Sequence, residues 1–82
     1  MSQPFSVLQQ AESLIQSGQK QAAQKLLADY LRLQPQSEKA WYLLSLVVSD
    51  PQQQRDCLQR ALRLKPDYAE AQARMVESVS YT

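Results

Sequence analysis

The chain has 82 residues, enough for one small domain and too few for a large buried core. Its net charge is +1 with acidic and basic residues interspersed, which speaks against the clustered basic face of a nucleic-acid binder. It has no His, which removes the commonest general base and metal ligand, and its single Cys, Cys57, rules out an internal disulfide and fits a reducing compartment.

The first predicted element is a helix from about Pro4 to Ser17, with Val7, Ala11 and Leu14 at helical spacing and Phe5, Leu8 and Ile15 on a neighbouring stripe. Gly18 is the only glycine, and it falls where a helix ends. A residue without Cβ turns left-handed there at least cost. The second helix spans about Gln19 to Leu33, with an apolar face of Ala23, Leu26, Leu27, Tyr30, Leu31 and Leu33. Pro35 closes it.

The third helix runs from Ser37 or Glu38 to Ser49. Its core stripe is read as Trp41, Leu44 and Val48, while Tyr42, turned ~100° away, stands with Leu46 on a second stripe. Asp50-Pro51-Gln52-Gln53 reads as an N-cap, a first-turn proline and a capping-box partner. The fourth helix runs to Leu64 through Leu58, Ala61 and Leu62, and Pro66 ends it. Asp67 to Glu70 repeats the capping-box spacing and opens a fifth helix with Ala71, Met75 and Val79 on one stripe and Val76 beside it. No segment alternates as a strand does, so the class is all-α. The longest near-apolar run, 40–48, is far short of the ~20 residues that span a bilayer, and residues 1–10 lack the pattern of a signal peptide. A cytoplasmic protein without membrane contact is expected.

Two segments repeat. Leu31-Arg32-Leu33-Gln34-Pro35 matches Leu62-Arg63-Leu64-Lys65-Pro66, and an early helical Ala follows each, Ala40 and Ala71. The prolines stand 31 residues apart, within the period of helical solenoids. With Trp41, Leu44, Ser45 and Val48 on one helix and Leu58, Ala61, Leu62 and Pro66 on the next, the chain resembles the tetratricopeptide repeat (TPR) family. Val7, Ala11, Leu14, Gly18, Ala23, Leu27, Leu31 and Pro35 take the matching places of a first repeat. The departures are Gln10 for a Leu, Tyr30 for a small residue, Gln54 for an Ala, and a second repeat three residues short between its helices.

The resemblance implies five helices in a short right-handed superhelical array of antiparallel pairs. Residues 1–82 then form a single TPR-like domain: repeat one about 4–37, repeat two about 38–68, and a capping helix about 69–80. It implies a module that binds another protein or a peptide in a concave groove. By position, that groove takes Leu8, Glu12, Ile15, Lys39, Tyr42, Leu46, Arg74 and Glu77, with Phe5, Gln16, Ser49, Glu70 and Ala73 beside them. Lys39 and Arg74 would form a rim preferring acidic groups. Trp41 is expected to pack as core against Leu58 and Ala61.

No catalytic residue, cofactor or metal site is expected, and no enzyme. No Gly-rich loop is present to hold phosphate. Asp50, Asp56 and Asp67 read as helix-start carboxylates and Cys57 as a structural thiol without a cation nearby. The alternative to peptide binding is a domain that self-associates through exposed end helices, giving a homo-oligomer.

Overall fold

The computed structural model describes the backbone of residues 4–79 and the side chains of residues 7–76. Five helices follow in order: α1 (Pro4–Gln16), α2 (Lys20–Leu33), α3 (Glu38–Val47), α4 (Pro51–Leu64) and α5 (Ala69–Val79). No strand occurs among the described residues. The longest helices have 14 residues, roughly 21 Å at 1.5 Å per residue. The molecule measures 45 × 25 × 18 Å, so its long dimension exceeds the length of any one helix. Each helix packs on its successor, and α1 also touches α3. Among the described residues no helix is long and apolar enough to cross a membrane.

The links are short and locally specified. Gly18 has φ +83°, the left-handed conformation its position predicted. Its N–H donates to the Ile15 carbonyl at 3.1 Å and the Gln19 N–H to the Leu14 carbonyl at 2.8 Å, a Schellman turn that satisfies two terminal carbonyls of α1. Ser37 caps α3, its hydroxyl accepting from the Ala40 N–H at 3.3 Å. The Asp50 carboxylate caps α4 by accepting from the Gln52 N–H at 3.0 Å.

The capping boxes differ from expectation. Gln54, rather than Gln53, reaches back, and its amide donates to the Val48 carbonyl at 2.8 Å. Gln54 thus caps the carbonyl end of α3 across the turn between α3 and α4. Asp67 does not cap α5. It lies inside a turn closed by the Tyr68 N–H on the Lys65 carbonyl at 3.0 Å, and the helix begins only at Ala69. Asp56 is not at a helix start either, lying in the second turn of α4.

The core has two clusters. The first joins α1, α2 and α3 through Ala11, Ala23, Leu27, Leu31, Ala40, Leu43 and Val47. The second joins α4 and the α5 end through Leu58, Ala61, Tyr68 and Ala71. Trp41 and Tyr42 pack against both and so hold the two halves together. The buried stripe of α3 is Ala40–Leu43–Val47, not Trp41–Leu44–Val48. Val48 is buried, but Trp41 and Leu44 are only half-buried. α3 is apolar around most of its girth, so periodicity alone could not choose its inward face. Leu33 and Leu64 also leave the expected core, being 80% and 40% exposed. Each stands two residues, about 200° of helix, beyond a leucine that faces inward.

Ala11 and Ser45 are both fully buried, which marks them as points where helices approach closely. The Ser45 hydroxyl satisfies itself on the Tyr42 carbonyl of its own helix.

Candidate partner-binding face

Tyr42 and Tyr68 build a depression on the surface. Tyr42 leaves the second turn of α3. Tyr68 sits where the Lys65–Tyr68 turn delivers the chain into α5. Their ring centroids are 5.3 Å apart and the planes tilt by 44°. Around them stand Glu12 of α1, Glu38, Lys39 and Leu43 of α3, Lys65 of the turn, and Glu70 of α5, enclosing about 270 Å³. That is below the roughly 300 Å³ at which whole small-molecule sites begin, and it suits one side chain of a partner.

The electrostatics differ from the expected basic rim. Lys39 donates to the Glu12 carboxylate at 2.9 Å and is committed to that ion pair. The Lys65 ammonium lies 5.3 Å from the centre of the Tyr68 ring, a cation–π contact. The depression holds three carboxylates against two ammonium groups. Burial pushes the Tyr68 phenol up to about 12, with further contributions from Glu70, Tyr42, Glu38 and Glu12.

Of the residues expected to line a groove, Glu12, Lys39 and Tyr42 meet here. Leu8, Ile15 and Leu46 do not line it; like Tyr42 they pack, partly buried, against the first core cluster. Arg74 does not line this depression. It is half-buried on α5, and its Nε is buried without a partner among the described residues. It stands 31 residues after Leu43 and so occupies the repeat position that is core in α3. The side chains of Glu77 and Phe5 lie outside the described residues. Sequence reasoning missed Tyr68, Glu38 and Lys65. The one available signal was that Tyr68 follows Pro66 as Ser37 follows Pro35.

A second hollow, of about 210 Å³, opens on the opposite flank of α3, between α2 and α4. Trp41, Leu44 and Val48 floor it, with Ala28 and Cys57 at the sides. The Arg60 guanidinium covers the indole at 5.0 Å from its centroid. Trp41 is therefore half-buried packing with a lid. Its Nε1–H donates to the Pro35 carbonyl at 2.9 Å. Cys57 is buried, and burial, reinforced by Asp56, raises its pKa. Arg60 opposes this, so a cation does neighbour the thiol, but the shift remains upward. The thiol is unreactive by this reasoning. Among the described residues no group of three or more His, Cys, Asp or Glu side chains could hold a metal ion.

Compared with protein-family models, with characterised proteins and with solved structures, the chain gives no match.

Proposed function

We propose that the chain is a TPR-like helical-repeat module that binds a peptide segment of another protein on the face formed by α1, α3 and the start of α5. The observation that carries this reading is the Tyr42–Tyr68 pair, two aromatic rings from successive repeat units meeting in a depression sized for one side chain. Repetition of contacts supports the repeat. The Trp41 Nε1–H bonds the Pro35 carbonyl and the Gln72 Nε2–H the Pro66 carbonyl, each six residues after its proline. Leu27 and Leu58, and Ala40 and Ala71, are equally buried at the same 31-residue offset. In this reading α1, α3 and α5 are the groove-lining helices and α2 and α4 the back.

Two bulky surface substitutions test it. Lys39→Trp obstructs the proposed face and Gln24→Trp the opposite flank; both positions are exposed. The reading requires that partners recovered with the natural chain persist with Gln24→Trp and vanish with Lys39→Trp. The reverse pattern rejects it.

Self-association is the second reading, and exposed Leu33 and Val76, at 80% and 64%, favour it. A light-scattering mass of two or more chains that returns to one with Leu33→Ser and Val76→Ser would establish it.

A further inference from the structure

Trp41 and Arg60 line a further hollow besides the one between α2 and α4. It encloses about 150 Å³, and its other walls are Pro35, Arg63 and Leu64. Two guanidinium groups stand at it and no carboxylate does. The Tyr42–Tyr68 depression has the reverse chemistry, with three carboxylates against two ammonium groups.

The platform of this hollow is fixed from within the chain. The Trp41 Nε1–H is held by the Pro35 carbonyl at 2.9 Å, and the Arg60 guanidinium covers the indole at 5.0 Å from its centroid. A guanidinium drawn over a ring keeps its N–H donors for an acceptor beyond it. Arg63 follows Arg60 by three residues on α4, so the two share a face of that helix. Neither forms an ion pair with another described residue or donates it a hydrogen bond. Asp56, four residues before Arg60, lines the hollow between α2 and α4 and not this one.

Pro35, the indole and the exposed Leu64 supply an apolar wall beside these cations. Two unpaired guanidinium groups at an apolar wall are complementary to a carboxylate that neighbours an apolar side chain. A concavity of this size admits a side chain, whereas the flat surface of a bilayer cannot enter it.

Going beyond the face proposed above, we infer that the Pro35–Trp41–Leu64 hollow docks an acidic peptide segment of another protein. An Asp or Glu of that segment pairs with Arg60 and Arg63, and an adjacent apolar side chain rests on Pro35, Trp41 and Leu64. A segment docked here is distinct from one received between Tyr42 and Tyr68, and Lys39→Trp separates the two, because Lys39 lines only the latter.

The experiment pans a phage-displayed library of random heptapeptides on the immobilised full chain carrying Lys39→Trp. Expected is enrichment of Asp or Glu next to an apolar residue. A synthetic copy of the leading peptide should bind the natural chain equally well, and Arg60→Gln and Arg63→Gln each about tenfold more weakly. Melting temperatures are checked alongside, and Arg63→Gln decides alone if Arg60→Gln is unstable. Acidic peptides that bind Arg63→Gln unchanged, or no enrichment of acidic peptides, would overturn the inference. Binding of the natural chain to phosphatidylserine vesicles that is lost with Arg63→Gln, in the absence of acidic peptides, would overturn it in favour of a lipid surface.

Discussion

Trp41 and Gln72 stand 31 residues apart and make the same hydrogen bond, each donating a side-chain N–H to the carbonyl of the proline six residues earlier, at 2.9 and 2.6 Å. An indole and a carboxamide share little but a donor at the end of a planar group. What is repeated is the need of the proline carbonyl, left without a helical partner where α2 and α4 end. Trp41→Phe should therefore keep most of the packing and cost about 1 kcal/mol for the lost donor. Trp41→Ala should cost about 3 kcal/mol, the low end for a large aromatic, because Trp41 is only half-buried. Denaturant melts of both variants check this, and equal losses would show that the bond contributes nothing.

Leu43 was not singled out in the sequence, yet it is 4% exposed at the centre of the α3 stripe. Leu43→Ala should destabilise by about 2–5 kcal/mol, and Leu44→Ala, half-buried beside the α2–α4 hollow, by clearly less. If the order of the two melting temperatures is reversed, the stripe is wrongly assigned.

Gly18 is a conformational requirement and not a spatial one. A Cβ built there meets nothing within 4 Å, while φ is +83°. Gly18→Ala should then cost about 1 kcal/mol from backbone strain alone, with Gly18→Val worse. Gly18→Asn should recover part of the loss, since Asn tolerates the left-handed region. Thermal melts that rank Asn below Ala would contradict this.

Tyr68 links stability to alkaline pH. Its folded pKa of about 12 lies above the ordinary 10.0, so the folded chain holds the phenolic proton longer than the unfolded chain. Between these values the unfolded state binds fewer protons, and stability falls as pH rises. The contribution is fully present below pH 10 and is lost by 12. Phenolate absorbance should show a late-titrating component that Tyr68→Phe removes. Tyr68→Phe should flatten the decline in melting temperature over that window, and an unchanged decline would assign it to other groups.

Much of the architecture was legible because local signals agreed. Gly18, Asp50-Pro51 and the two Leu-Arg-Leu-polar-Pro segments each specify an end or a start, and the helices lie between them. The inward face of α3 was not legible, because Trp41, Tyr42, Leu43, Leu44 and Leu46 are all apolar and only neighbours decide among them. The candidate site was read in part. Glu12, Lys39 and Tyr42 could be placed by repeat position, but the Lys39–Glu12 pair and the arrival of Tyr68 beside Tyr42 join residues 26 or more apart in the chain. No local pattern encodes such meetings. The pairing of Lys39 with Glu12 and the placing of Arg74 away from the depression could not be read from the sequence for that reason.

The central claim is that partners meet the α1–α3–α5 face at Tyr42 and Tyr68. Cross-saturation transfer from a protonated partner to the deuterated, amide-labelled chain tests it most directly, because it reports contact without altering any residue. The account predicts signal loss at the amides of Lys39, Tyr42, Tyr68 and Glu70, with Gln24, Ala28 and Gln53 unaffected. Loss confined to the latter three would place the partner in the Trp41 hollow and contradict the account.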